Sequence, residues 1–159
     1  MSNYLGIDPS TKSYAWALLS NDEWTAGKID GYWWVDVAEQ LLDCPQGTAV
    51  MVEGQYMCRN AKVFGMLSAV RGGIEAQAEI VGHEVYEAVA PFVWQRLLED
   101  YVPHGHKKHT RMQRRQELKA ASVVRAEEIS GLHLGSDNDI ADAVNIADYL
   151  RLAMEVDDE

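Results

Sequence analysis

The chain has 159 residues, which is enough for one domain with an ordinary hydrophobic core. Hydrophobic residues make up 47% of it and prolines number only 4, so a largely disordered chain is excluded. The formal net charge is −11, and no apolar run approaches the ~20 residues that a membrane-spanning helix needs. We expect one domain over residues 1–159, soluble and cytoplasmic, with an acidic C-terminal tail from about residue 155.

The first half of the chain predicts strands before helices. Apolar segments over residues 4–7 and 13–19, separated by a proline-containing turn, predict a strand and a returning strand. Residues 24–34 supply a third strand, and residues 35–42 form a short amphipathic helix. The compact apolar run over residues 48–52 has the length of a buried central strand.

A long segment over residues 60–81, without proline, predicts a helix that Asn60 caps and Gly82 ends. Gly72 and Gly73 lower its helix propensity by roughly 1 kcal/mol each relative to alanine. Because many of its other residues are small, a neighbouring element can approach closely. We expect that packing to offset the cost of the glycines.

The second half of the chain alternates strand and helix. A strand over residues 84–89 is followed by a helix start at Pro91, and further helices are predicted over residues 111–129 and 137–154. Antiparallel strands followed by a strand–helix–strand alternation predict an α/β domain, with a mixed five-stranded sheet and helices on both faces. In that arrangement the ends of the first and fourth strands can lie side by side.

Carboxylates at three separated places form the most informative pattern in the sequence. Asp8 and Glu53 each end an apolar strand, and Asp139 and Asp142 share one face of a predicted helix because they are three residues apart. Hard cations such as Mg²⁺ take oxygen ligands, and two ions about 3.5–4 Å apart can stabilise both the attacking and the leaving oxygen of a phosphodiester. If the fold brings the carboxylates together, the pattern favours metal-dependent phosphodiester chemistry.

Each carboxylate taken alone has a structural interpretation. Asp8 stands in an Asp-Pro-Ser turn sequence, where aspartate is common. Asp139 follows Ser136 by three residues, which resembles a helix capping box. Asp142 lies between two alanines, which indicates a closely packed, inward-facing position. Only the combination of the four residues favours the metal site over these alternatives.

The acidic chain contains one basic segment. Residues 96–125 hold eight basic and three acidic residues, so the segment has a charge of +5 and the remainder −16. A basic stripe suits contact with nucleic-acid phosphates at one face of the protein. A solvated helix face with a charged loop explains the segment equally well, so it supports a nucleic-acid partner without establishing one.

Three motifs resemble, in the same order, those of the RuvC family of Holliday-junction resolvases within the RNase H-like superfamily. The motifs are Leu5-Gly6-Ile7-Asp8-Pro9-Ser10, Val52-Glu53-Gly54-Gln55-Tyr56 and Asp139-Ile140-Ala141-Asp142-Ala143. The resemblance covers residues 4–150, and the compact, acidic chain suits a version from a phage or a mobile element. It implies an RNase H-like nuclease fold.

The resemblance implies a homodimer that nicks two opposed strands of four-way branched DNA symmetrically and leaves 5′-phosphate and 3′-hydroxyl ends. It implies that Asp8, Glu53, Asp139 and Asp142 are catalytic and hold Mg²⁺, or Mn²⁺ as a substitute, with two ions per active site. Lys119 resembles the family's basic catalytic residue, which stabilises charge on the scissile phosphate. An ordinary exposed helical lysine is the alternative for Lys119.

The resemblance also implies a DNA-contacting surface and a dimer contact. Tyr56 matches an aromatic residue that can stack on an unpaired base, although a buried core tyrosine is nearly as consistent with the sequence. The other residues expected to bind DNA are basic: Arg59, Lys62, Arg96, Lys107, Lys108, Arg111, Arg114 and Arg115. We interpret the loop with His104, His106 and His109 as a DNA contact, since the proline and glycine among them disfavour fixed metal geometry. The helix over residues 60–81 resembles the family's dimerisation element.

Three alternatives stay open. Another RNase H-like nuclease, acting on RNA–DNA hybrids, flaps or RNA, would use the same metal site. An actin-like ATPase or sugar kinase can share the opening Gly-Ile-Asp, but such proteins need two lobes, and the sequence lacks a glycine-rich phosphate loop. A non-catalytic module that binds branched DNA is disfavoured, because four carboxylates without a metal would repel phosphate.

Overall fold

The computed structural model describes residues 2–31, 34–55, 60–102 and 110–157. Its sheet consists of β1 (Tyr4–Pro9), β2 (Ser13–Ser20), β3 (Glu23–Asp30), β4 (Ala49–Val52) and β5 (Glu84–Val85). The helices of these ranges are α1 (Trp34–Asp43), α2 (Ala61–Ile80), α3 (Pro91–Trp94), α4 (Arg111–Ser130) and α5 (Asn138–Asp157), and a 3-10 helix over Gln95–Tyr101 follows α3. The predicted α/β class with a mixed five-stranded sheet is confirmed. No helix in the described ranges has the length and apolar character of a membrane span.

The sheet order β3-β2-β1-β4-β5 places the first and fourth strands next to each other at its centre. β1, β2 and β3 form an antiparallel meander, while β1 runs parallel to β4 and β4 runs parallel to β5. The two-residue turn between β2 and β3 has Asn21 at φ 51° and Asp22 at φ 64°. Tight hairpin turns need this left-handed conformation, which Asn and Asp tolerate better than most residues.

Helices cover both faces of the sheet because side chains alternate between the faces along each strand. Leu5 and Ile7 of β1 pack with α1 and α2, in a core that includes Val37, Leu41 and Ile74. The opposite face is covered by α5, with α4 packed beside it. Alanines of β2 and α5 meet at this second face and allow the helix to lie close to the sheet.

Gly6 marks a backbone contact between β1 and α5. It lies between Leu5 and Ile7, so it faces the opposite side of the sheet from them. A Cβ atom added at Gly6 would lie 2.2 Å from Ala143 O and 2.4 Å from Ala147 N. Only glycine fits here, and the contact holds α5 directly against the central strand.

Two predicted strands are shorter in the structure. The third ends at Asp30, where Gly31 takes a φ of 78° and turns the chain, rather than at residue 34. The fifth ends at Val85 rather than at residue 89, because the register with β4 slips by one residue: Val50 pairs with Val85, whereas Glu53 pairs with Val89. Beyond them, an isolated bridge between Glu53 and Val89 continues the pairing.

Helix α2 begins as predicted, and the structure explains one of its glycines. The side chain of Asn60 accepts hydrogen bonds from two backbone N–H groups of the first turn. A Cβ atom added at Gly73 would lie 2.8 Å from the tip of the Trp34 ring, so this indole packs directly against the helix backbone at the glycine. Nothing lies within 4 Å of a Cβ atom added at Gly72. Packing therefore offsets the helix-propensity cost of Gly73, as expected. Among the described residues, no such contact offsets the cost of Gly72.

Helix α5 differs from its prediction at both ends. Asp137 caps it, because its Oδ1 accepts hydrogen bonds from the backbone N–H groups of Asp139 and Ile140. The interpretation of Ser136 as the start of a capping box is therefore wrong. The helix runs to Asp157, so the acidic tail expected from about residue 155 begins inside it. An ion pair between side chains one turn apart, at positions 151 and 155, supports this last turn.

Candidate active site

The four predicted carboxylates line one cleft of about 290 Å³. Asp8 lies near the end of β1, on the face of the sheet that α5 covers. Glu53 directly follows β4, and its backbone N–H donates to Ile7 O at 2.8 Å, which fixes the two strand ends side by side. Asp139 and Asp142 enter the cleft from the first turns of α5. The structure thus brings together residues that are far apart in the sequence.

Basic and aromatic side chains form further walls of this cleft. Lys119 and Arg115 reach it from α4. The Lys119 ammonium donates to Asn138 Oδ1 at 3.2 Å, beside the start of α5. The buried indole of Trp94 donates from Nε1 to Glu53 Oε1 at 2.9 Å. An acidic centre therefore lies next to positive charge that can receive a phosphate.

Two of the four carboxylates are joined to each other. The charge of Glu53 and a hydrogen bond with it both raise the pKa of Asp8, so the two carboxylates interact directly. A third carboxylate, Asp142, accepts a hydrogen bond at its Oδ1 from the Ser122 hydroxyl. The sequence pattern did not indicate Ser122 as a site residue. These partners compensate acidic groups that are crowded within one cleft.

Lys28 is a second residue that the sequence analysis missed. Its ammonium donates to Asp139 Oδ2 at 2.5 Å and lies 3.8 Å from Asp137 Oδ1. Lys28 of β3 is paired with Ala15 of β2, which is paired with Asp8 of β1. These three residues form one row across the sheet. Aligning the β1–β2 and β2–β3 hairpins in the sequence would therefore have placed Lys28 on the same face as Asp8.

Burial and crowding raise three carboxylate pKa values in the cleft. The pKa of Asp8 lies well above its usual range, because of burial first and then the charges of Glu53 and Asp139. Burial and the charge of Asp142 raise the pKa of Glu53 to about 7, although two hydrogen bonds lower it. Burial and the charge of Asp8 raise the pKa of Asp142 to about 8, against one hydrogen bond that lowers it. Ionising all four groups without a cation is therefore unfavourable.

The donor set fits a hard divalent cation by its chemistry. Carboxylate oxygens are the ligands that Mg²⁺ and Mn²⁺ prefer in proteins, and four of them line the cleft. In the described ranges, no group of three or more His, Cys, Asp or Glu side chains is already arranged to hold a metal ion. The charge of Glu53 raises the pKa of Asp8, and a cation bound between the two carboxylates would offset that repulsion.

The predicted DNA-binding residues fall in different places. Arg115 lines the cleft, and the others that the structure describes are exposed outside its walls: Lys62, Arg96, Arg111 and Arg114. Gln95 contributes to the cleft wall, whereas its neighbour Arg96 does not. The predictions for Tyr56, Arg59, Lys107 and Lys108, and for the loop with His104, His106 and His109, lie outside the described residues.

One member of the basic segment is not a surface charge. Arg125 is 8% exposed, and its Nη2 lies 2.6 Å from Asp148 Oδ2 in a buried ion pair between α4 and α5. Counting Arg125 in a phosphate-binding stripe was therefore wrong, because its charge is already compensated inside the protein. The exposed part of the stripe is correspondingly less basic.

We expect the metal-free protein to lose stability as the pH rises from about 4 to about 8. In this range the folded protein binds more protons than the unfolded chain, because burial raises the folded-state pKa of Glu53 to about 7 and of Asp142 to about 8. The free energy of unfolding must then fall with increasing pH. Urea denaturation in EDTA at about pH 5 and about pH 8.5 measures the difference. A free energy of unfolding that rises between these two pH values would contradict the raised pKa values of Glu53 and Asp142.

The central parallel pair β1–β4, the antiparallel meander and the covering α5 define an RNase H-like α/β fold of the RuvC type. Among the solved structures that this chain resembles are two of RuvC from Thermus thermophilus. RuvC in complex with a Holliday junction substrate matches at a TM-score of 0.66 and 17% identity, over 96% of this chain and 96% of that chain. A second RuvC structure matches at a TM-score of 0.61 and 18% identity, over 95% of this chain and 96% of that chain.

Sequence comparisons add nothing to this likeness, because no family model and no curated protein matches the chain. The relationship is therefore one of fold. The fold that the three motifs implied is confirmed, and the roles of the individual residues remain predictions.

Proposed function

We propose that this protein is a structure-selective endodeoxyribonuclease that resolves four-way DNA junctions. The observation that carries the proposal is the convergence of Asp8, Glu53, Asp139 and Asp142 in one cleft of a RuvC-like fold. A structure with the same fold is that of RuvC bound to a Holliday junction substrate. An acidic centre for the metal and adjacent basic groups for phosphates are the two features that such a nuclease needs.

The four carboxylates would hold Mg²⁺, or Mn²⁺ as a substitute, with two ions per active site. When bound, such ions would supply activation of the attacking water and charge neutralisation at the leaving 3′ oxygen, consistent with 5′-phosphate and 3′-hydroxyl ends. Trp94 fixes the orientation of Glu53 through the 2.9 Å hydrogen bond to its Oε1. Lys119, in the wall of the cleft, would donate to the scissile phosphate as negative charge develops there.

The proposal includes a DNA-contacting surface and a homodimer. Arg115 would contact phosphate at the cleft, with further contacts from the exposed basic residues and from the predicted residues outside the described ranges: Lys62, Arg96, Arg111, Arg114, Tyr56, Arg59, Lys107 and Lys108. Paired symmetric nicks need two active sites, and α2 is the proposed dimer element. Its Met66 and Ile80 are 47% and 83% exposed, and a dimer contact along α2 would cover them.

Cleavage of an end-labelled synthetic four-way junction with Mg²⁺ tests the proposal. Linear duplex, flap and RNA–DNA hybrid substrates of matching sequence serve as controls. Paired symmetric nicks with ligatable ends, on the junction alone, are the expected result. Preferential cutting of the hybrid or the flap would support the proposed nuclease activity and contradict the four-way junction as its substrate. If the protein binds the junction but cuts none of the substrates with Mg²⁺ or Mn²⁺, the proposed activity is wrong and the protein is a non-catalytic DNA-binding module.

We expect Lys28→Met to lower the Mn²⁺ concentration that half-saturates the site by roughly two- to fivefold. The Lys28 ammonium contacts Asp139 Oδ2 at 2.5 Å, so it competes with a metal ion for that carboxylate. The effect is modest because both side chains are partly exposed, and such ion pairs contribute about 0–1 kcal/mol.

Calorimetric titration with Mn²⁺ in the absence of DNA measures this change. Lys62→Met is the matched control, because it removes the same charge from an exposed position outside the cleft walls. Weaker Mn²⁺ binding by the Lys28 variant would mean that the lysine supports the site rather than competing for it.

A further inference from the structure

A connected chain of buried polar groups lies behind the cleft, between α4 and α5. The Ser122 hydroxyl donates to Asp142 Oδ1. Asn145 Nδ2 donates to Ser122 Oγ at 3.0 Å, to Ser122 O at 3.1 Å and to Ala141 O at 2.9 Å. Asn145 Oδ1 accepts from Arg125 Nη1 at 2.6 Å. Ser122 and Asn145 are 1% and 0% exposed, so these contacts are shielded from solvent.

The direction of each hydrogen bond in this chain follows from what its groups can donate. A guanidinium only donates, so the amide oxygen of Asn145 must face Arg125 and the amide nitrogen must face Ser122. The amide nitrogen also only donates, so the Ser122 oxygen accepts there and its single proton is left for Asp142. The hydroxyl therefore cannot turn its proton toward Asn145.

The far end of the chain is anchored by charge. Arg125 Nη2 lies 2.6 Å from Asp148 Oδ2, and Asp148 Oδ1 accepts in turn from Arg151 Nη2 at 2.7 Å. Within a buried network, fully made hydrogen bonds reinforce one another and hold one arrangement of side chains. The orientation of Ser122 is thus determined by residues that do not line the active-site cleft.

We propose that Ser122 is a positioning residue that fixes Asp142 for the divalent cation, which extends the proposed function and depends on it. Held by Asn145 and Arg125, the Ser122 hydroxyl engages Oδ1 of the carboxylate. Oδ2 of Asp142 would then be left to hold the ion in the cleft that this residue lines. Hydrogen-bonding partners that orient a ligating group contribute about 10–100-fold to metal affinity or activity.

Ser122→Ala tests the inference. We expect Mn²⁺ binding measured by calorimetry without DNA to weaken about tenfold or more, with a matching rise in the Mn²⁺ requirement for cleavage. The affinity for a four-way junction in EDTA should not change. The variant should fold, because Asn145 Nδ2 keeps its two backbone acceptors at Ser122 and Ala141.

Ser130→Ala is the matched control, because that hydroxyl donates to Ala126 O within α4 and does not line the cleft. Ser122→Thr keeps a hydroxyl and should restore Mn²⁺ binding. If the alanine variant is unstable, Ser122→Cys takes its place. The thiol nearly keeps the side-chain volume but is a weaker donor, so Mn²⁺ binding should weaken here too.

The outcomes separate the two proposals. A wild-type protein that neither binds Mn²⁺ nor cleaves DNA would overturn the proposed function and this inference with it. A wild-type protein that binds Mn²⁺ no more tightly than Ser122→Ala would overturn the positioning role alone and leave the nuclease intact.

Discussion

Asp8→Asn is expected to abolish junction cleavage while leaving junction binding intact. Asp8 lines the cleft together with Glu53, Asp139 and Asp142, and the charges of Glu53 and Asp139 raise its pKa. Asparagine keeps the shape of the side chain and removes the anionic oxygen that would ligate the metal. We expect a loss on the order of 10³-fold in the single-turnover rate, the upper end for removing one group that stabilises a transition state. Binding should persist, because the change removes a charge that repels phosphate.

Single-turnover cleavage with Mg²⁺ and mobility shift in EDTA measure the two parts of this prediction. Asp22→Asn is the matched control, since Asp22 is exposed in the β2–β3 turn and its φ of 64° suits asparagine. Unchanged turnover by Asp8→Asn would remove this residue from the active site. The variant should also unfold at a higher temperature than the wild type without metal, because it relieves repulsion in the cleft.

Gly6→Ala is expected to destabilise the protein by at least about 3 kcal/mol. The added Cβ would lie 2.2 Å from Ala143 O and 2.4 Å from Ala147 N, and backbone atoms cannot move aside as a flexible side chain can. Helix α5 must therefore shift as a unit. Because this helix carries Asp139 and Asp142, we expect cleavage to be lost even where the variant still folds.

Urea denaturation of Gly6→Ala beside Gly72→Ala measures this effect against a matched control. A Cβ atom added at Gly72 meets nothing within 4 Å, and Gly72 lies inside α2. Alanine there should raise the free energy of unfolding by about 0.5–1 kcal/mol through helix propensity. Equal behaviour of the two variants would contradict the close contact between β1 and α5.

The features that could be predicted from the sequence depend on local pattern and simple topology. Asp8 lies near the end of an apolar strand and Glu53 directly follows another, and the parallel pairing of adjacent strands brings such ends together. Asp139 and Asp142 share a helix face because of their spacing alone. The cap at Asn60 likewise needs only its own segment of chain.

The features that escaped prediction depend on contacts between distant elements. Lys28 reaches Asp139 across 111 positions, and only the register of three strands brings them together. Arg125 counts as a surface charge in any tally of the sequence, and only the packing of α4 on α5 reveals that Asp148 neutralises it. The early end of β5 comes from a one-residue slip in its register with β4, which becomes visible only once the two strands are paired.

The hydrogen bonds between α4 and α5 also determine where the chain can accept inserted residues. Three of them join residues 19 or 20 positions apart: Lys119 to Asn138, Ser122 to Asp142, and Arg125 to Asn145. One residue inserted within α4 between these contacts would rotate the rest of the helix by about 100° and break at least one of them. An insertion beside the exposed His133, between the two helices, would change the phase of neither helix and would cost mainly the contacts of this connection with Glu127. Changes in length should therefore be tolerated in the connection and not in the helices it joins.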